Sequence, residues 1–131
     1  MITAIATAAV YVEDQEKSAA FWTEQVGFTT TRDEAYGGER WVEVTPPDGS
    51  VVLVLSPRDG HSLPDVPEEL PHSPLFFHAD DVQATHRELS ERGVRFAQPP
   101  RELHFGWWAL FEDPDGTRYA LGEWESGAPS P

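Results

Sequence analysis

Val10-Tyr11-Val12-Glu13-Asp14 and Phe77-His78-Ala79-Asp80-Asp81 follow one pattern, an apolar run that closes on an acidic residue. From each, the chain passes through a helix-like stretch to a glycine, Gly27-Phe28 in one case and Gly93-Val94 in the other. It then reaches a turn, Pro46-Pro47-Asp48-Gly49-Ser50 or Asp113-Pro114-Asp115-Gly116-Thr117. The offset between the two series stays at 66 or 67 positions. A constant period with matching turn chemistry predicts two copies of one supersecondary unit.

Each copy predicts the same order of elements. A first strand covers Ile5–Val12 or Leu75–Ala79. Asp14 and Asp81 are placed to cap the helix that follows. The helix is amphipathic, with Ala19, Ala20, Trp22 and Val26 on one face in the first copy and Val82, His86 and Leu89 in the second. Gly27 and Gly93 stand where a left-handed residue ends a helix. A strand and a hairpin complete the unit. Asp-Gly lies between Arg40–Thr45 and Ser50–Leu55, and again between Trp107–Glu112 and Arg118–Gly122. The expected fold is α+β, built from two βαβββ modules. All 131 residues read as a single domain, with module one at about 3–55, a proline-rich linker at 56–73, module two at about 74–124 and a flexible tail at 125–131.

Composition narrows the function. Hydrophobic residues make up 39% and charged residues 24%, so the chain is globular rather than disordered. No apolar run approaches the about 20 residues that cross a bilayer. No basic segment precedes an apolar one at the N-terminus, and the cytoplasm is the expected location. There is no cysteine, so thiolate catalysis, disulfides and cysteine-based zinc sites are excluded. Nine Lys and Arg stand against 23 Asp and Glu, a formal charge of −14. That charge argues against nucleic acid and anionic membranes as partners and favours a cationic ligand or a basic partner. No glycine-rich phosphate loop, His-Glu-x-x-His run or nucleophile elbow is present, and Gly37-Gly38 reads as a turn.

The doubled unit resembles the glyoxalase / bleomycin resistance / extradiol dioxygenase superfamily, also called vicinal oxygen chelate. The residues that carry the resemblance are Val10-Tyr11-Val12 with Asp14, Ala20-Phe21-Trp22, Gly27-Phe28, Phe77 with Asp80-Asp81-Val82, Leu89 with Gly93-Val94, and Phe111 with Asp113-Pro114-Asp115-Gly116-Thr117. The resemblance covers roughly residues 3–124. It implies a homodimer in which the two βαβββ modules form a curved mixed sheet around a cavity. In metal-dependent members of that family, ligands come from three strand positions, which fall here on Thr7, Pro74 and Ala120. None of these side chains holds iron, manganese, nickel or zinc. No metal and no cofactor is therefore expected.

The candidate ligand-binding residues are Trp41, Glu43, His78, Phe105, Trp107, Trp108 and Arg118. Alternation puts Trp41, Glu43 and Thr45 on one strand face and Val42 and Val44 on the other. His78 shares a side with Pro74 and Phe76. His104-Phe105-Gly106-Trp107-Trp108 crowds three large rings into five residues. The two tryptophans must point to opposite faces, and the sequence leaves open which one meets a ligand. Gly106 keeps the backbone accessible. By the resemblance, Phe105 takes the place of a ring that stacks on a bound drug. Arg118 is expected to point inward, toward a ligand oxygen or a neighbouring glutamate. Asp33, Glu34 and Glu39 are read as a rim loop, Trp22 as core, and Trp124 as a dimer edge. His61 and His72 are read as solvated linker residues, His86 as a helix residue that packs or faces water, and His104 as lying at the cavity mouth.

The expected function is sequestration of an aromatic or cationic natural product such as a bleomycin, mitomycin or enediyne, by stacking in a pre-formed cleft. The alternative is a metal-independent cyclase, isomerase or lyase with His78 or Glu43 as general base. A module with no small ligand is a third class.

Overall fold

The computed structural model describes residues 1–60 and 62–123. His61, Trp124 and the tail at 125–131 lie outside the described residues. The chain divides into two compact units, Met1–Ser62 and Leu63–Pro131, and each carries one copy of the repeat.

In the first unit, β1 (Thr7–Val12) leads to a helix, α1 (Gln15–Ala20), which continues as a π-helical turn over Phe21–Val26. Then come β2 (Thr29–Tyr36), β3 (Glu39–Thr45) and β4 (Val52–Pro57). The strand order is β1-β4-β3-β2, with β1 parallel to β4 and the other pairs antiparallel. Asp14 caps α1, its carboxylate accepting from the Lys17 N–H at 3.0 Å. Gly27 closes the π turn at φ 98°, a left-handed value that a Cβ would strain. The sheet's packed face is built from Val10, Val12, Val42, Val44, Leu53 and Leu55. The helical segment buries Ser18, Phe21 and Trp22, whereas Ala20 is exposed and Ala19 and Val26 are half-buried. This corrects the face expected from the sequence. Residues 18, 21, 22 and 25 follow the helical i, i+3, i+4, i+7 row, and Ala20 falls off it.

The second unit repeats the plan with β5 (Phe76–His78), α2 (Val82–Glu91), β6 (Arg95–Leu103), β7 (Gly106–Glu112) and β8 (Arg118–Gly122). Its order is β5-β8-β7-β6, again with one parallel pair, β5 with β8. Asp81 caps α2 through the Ala84 N–H at 3.0 Å, and the Glu123 carboxylate takes the Val82 N–H at 2.6 Å. Val82 and Leu89 are buried, and His86 packs edge-on to Phe96 with ring centroids 4.6 Å apart. Phe77, Phe96, Phe111 and Tyr119 fill the layer between α2 and the sheet. The architecture is thus two four-stranded mixed sheets, each with its helix, in an α+β fold. No described helix is long and apolar enough to cross a membrane.

Asp33, Glu34 and Glu39 do not form a loop. They lie on β2 and β3, and the turn between those strands is Gly37-Gly38, with φ 57° and 85°.

Candidate functional site

A sheet with a helix on one side leaves its other face for function, and strand alternation decides which residues stand there. In the second unit that face carries Trp108, Leu110, Ala120, Phe76 and His78. Trp108, Leu110 and Ala120 form a buried cluster, with Ala97, Leu103 and Phe105 packed against it. Trp108 is 8% exposed and forms the floor. The Phe76 ring lies 5.7 Å from it on one side, and the Phe105 ring lies 5.9 Å away at 83° on the other. Phe76 is on β5 and Trp108 on β7, with β8 between them. The rings meet across it because the residues there are Ala120 and Gly122, whose side chains are small or absent. Phe76 is 47% exposed, whereas Trp108, Leu110 and Ala120 beside it are buried. His78 sits beside Gly122 in register, exposed, with Nε2 3.3 Å from an Asp80 carboxylate oxygen.

Trp107 takes the opposite face. It alternates with Ala109 and Phe111, on the side that α2 covers, and its carbonyl accepts the Glu123 N–H at 3.0 Å. Of the two rings, Trp108 is the one on the face opposite α2. Gly106 has a different role from the one expected. At φ 138°, a Cβ there would collide with the Glu123 carbonyl oxygen, so the close approach is to the chain's own backbone.

The Arg118 guanidinium is bonded to the linker backbone. Nε donates to the Leu70 carbonyl at 2.9 Å, and Nη2 donates to the Pro67 and Val66 carbonyls at 3.1 and 3.3 Å. His72 is likewise not a solvated linker residue: it is half-buried, and its Nδ1 accepts the Arg118 N–H at 2.8 Å. Phe76 was missing from the sequence-derived candidates, although its alternation with His78 was the available signal.

In the first unit, Trp41 and Glu43 share the face opposite Val42 and Val44. The Trp41 indole N–H donates to the Glu43 carboxylate at 2.5 Å, and Arg32 Nε lies 3.7 Å from the same oxygen. Tyr36 donates its hydroxyl proton to Glu34, which pushes the phenol up from its ordinary pKa. Asp33 accepts two bonds from Arg40, at 2.8 and 2.7 Å, and that hydrogen-bonded guanidinium holds its carboxyl below the usual value. Trp41 is 41% exposed.

The three positions corresponding to family metal ligands do not fit a metal. Thr7 is an exposed strand residue, Pro74 has no donor side chain, and Ala120 is a buried methyl in the apolar floor. Among the described residues no three His, Asp or Glu side chains come together as a metal-holding group.

The family model for the Glyoxalase/Bleomycin resistance protein/Dioxygenase superfamily matches residues 4–121. The uncharacterized protein YetH of Bacillus subtilis (strain 168) is 36% identical over 124 residues, covering 94% of this chain and all of YetH. Among solved structures, TnmS3, an antibiotic binding protein from Streptomyces sp. CB03234, superposes with a TM-score of 0.79 at 34% identity, covering 95% of this chain and 98% of TnmS3. A superfamily member from Sphaerobacter thermophilus DSM 20745 superposes with a TM-score of 0.80 at 28% identity, covering 93% and 98%.

Proposed function

Because this chain belongs to the glyoxalase/bleomycin resistance/dioxygenase superfamily, we propose that it binds a small aromatic natural product, of the antibiotic class, on the uncovered face of its second sheet. The observation that carries the proposal is the Trp108 floor with Phe76 and Phe105 standing on either side. A planar ligand laid against the exposed Phe76 ring replaces water on apolar surface and meets the edge of the Trp108 floor. Each such ring contact contributes about 0.5–1.5 kcal/mol beyond area burial. Similarity to TnmS3 supports an antibiotic as the ligand. The chain's formal charge of −14 favours a cationic group on that molecule. The action is stoichiometric capture of a bleomycin, mitomycin or enediyne by a cytoplasmic homodimer, without turnover.

A tryptophan-fluorescence titration against bleomycin, mitomycin and an anthraquinone-type enediyne tests this. Saturable quenching at about one ligand per chain, with the ligand recovered unchanged, is expected for at least one of them. Phe76→Ala should weaken that binding about tenfold, as expected for a lost ring contact with its buried area. Absence of quenching by all three refutes the proposal. Recovery of a chemically altered ligand replaces it with a metal-independent enzyme using His78 or Glu43 as base.

A further inference from the structure

Among the described residues between β4 and β5 the chain forms no regular element, yet its last turn is tied down at one residue. Arg118 opens β8. Its carbonyl accepts the His72 N–H at 3.0 Å and the Ser73 N–H at 3.3 Å. Its own N–H donates to His72 Nδ1 at 2.8 Å, and its guanidinium holds the carbonyls of residues 66, 67 and 70. The Ser73 hydroxyl then accepts the Leu75 N–H at 3.1 Å, and β5 begins at the next residue.

β5 is an edge strand of three residues paired with β8. So short a strand has few ladder bonds of its own, and its placement depends on what flanks it. Downstream, the Ala79 N–H donates to the Gly122 carbonyl at 3.0 Å. Upstream, the flank is the Arg118–His72 cluster. We infer that Arg118 and His72 form a clasp that positions β5, and with it the Phe76 ring, and that the clasp holds with a neutral His72 imidazole. Its consequence for ligand capture rests on the binding face proposed above; the clasp itself does not.

The chemistry follows from one lone pair. Nδ1 accepts a backbone N–H, so it carries no proton in this arrangement. Protonation places a hydrogen on Nδ1 facing the Arg118 N–H, which turns an attraction into a repulsion. The charged groups around the clasp act in both directions. From β8, the Arg118 guanidinium opposes a second positive charge. From β7, Glu112 lies opposite Arg118 in register and 3.8 Å from Arg95. On the turn before β8, Asp113 is buried and Asp115 half-buried. On the linker, Asp65, Glu68 and Glu69 are exposed and water-screened. The clasp is therefore intact while the imidazole is neutral and weakens as falling pH favours the protonated ring.

Amide hydrogen exchange of the ligand-free protein, corrected for intrinsic rates at about pH 7.5 and about pH 5, reads the clasp directly. The Arg118 amide should lose about tenfold in protection at the lower pH, the scale of one hydrogen bond. His72→Asn retains an acceptor oxygen near the Nδ1 position but does not titrate, so its protection should stay level. His72→Phe should be low at both pH values. A level profile in the natural protein, or the same drop in His72→Asn, overturns the clasp. Titration with the anthraquinone-type enediyne at both pH values then tests the coupling: affinity should fall with pH in the natural protein and hold in His72→Asn. Affinity that does not fall while the clasp opens overturns the coupling. If the enediyne does not bind at all, the binding face fails and the exchange result still decides the clasp.

Discussion

Asp113→Ala should destabilise the protein by about 3–4 kcal/mol, a loss set by three converging bonds. One carboxylate oxygen accepts the Asp115 N–H at 2.9 Å and the Thr117 N–H at 3.0 Å, and the other accepts the Tyr119 hydroxyl at 3.0 Å. Asp113 is 5% exposed and Tyr119 is 1% exposed. The Asp115 amide lies in the half-buried turn, where water replaces part of the lost bond. The Tyr119 hydroxyl is sealed beneath the sheet and loses its carboxylate acceptor, at about 1–3 kcal/mol. Tyr119→Phe alone should cost about 1–2 kcal/mol. In the double variant no hydroxyl is stranded, so the combined loss should fall short of the sum by about 1–2 kcal/mol. Urea denaturation of the four proteins measures that coupling. Additivity within about 0.5 kcal/mol would refute the assignment of Asp113 as the hub of this turn. A pH series adds a second check. Burial pushes the Asp113 carboxyl up from its ordinary 3.8, against the pull of the Thr117 N–H and the Tyr119 hydroxyl. The native state therefore holds that proton more tightly than the unfolded chain. The resulting contribution is complete below 3.8 and is lost as pH rises through the folded-state value. Relative to Asp113→Asn, which does not titrate, the natural protein should lose stability as pH rises across that window. A gain in stability would contradict the burial argument.

Three further changes have calculable outcomes. Gly106→Ala puts a Cβ against the Glu123 carbonyl at a φ of 138°, and thermal melting should show a loss of about 2–4 kcal/mol, whereas a loss below about 1 kcal/mol would mean that β7 yields easily there. Ser18→Ala removes a buried hydroxyl for which the described residues provide no hydrogen-bond partner and improves helix propensity, so urea denaturation should show a gain of about 1 kcal/mol; destabilisation would reveal a partner for that oxygen. Asp81→Ala removes the cap on the Ala84 N–H and should cost about 1 kcal/mol, with faster amide exchange confined to the first turn of α2.

The repeat was readable because it is local chemistry. Asp14 and Asp81 cap helices, Gly27 and Gly93 end them, and the two Asp-Gly turns close hairpins, all through bonds that span a few residues. Alternation alone put Trp41 and Glu43 opposite Val42 and Val44, because a strand has a period of two whatever surrounds it. The same rule required Trp107 and Trp108 to diverge and was silent on which face the helix would cover. That choice belongs to packing: α2 lies over the face of Phe111 and Tyr119, which leaves Trp108 on the other. The partners of Arg118 were hidden for a related reason. Its partners are the carbonyls of residues 66, 67 and 70, about 50 positions away in the chain, and backbone carbonyls are identical in every residue type. No side-chain pattern marks them, so only the path of the folded chain could assign that guanidinium to the linker. Gly106 shows the same division. Its freedom from a side chain was evident in the sequence, but the Glu123 carbonyl that requires it comes close only once β7 and β8 are paired.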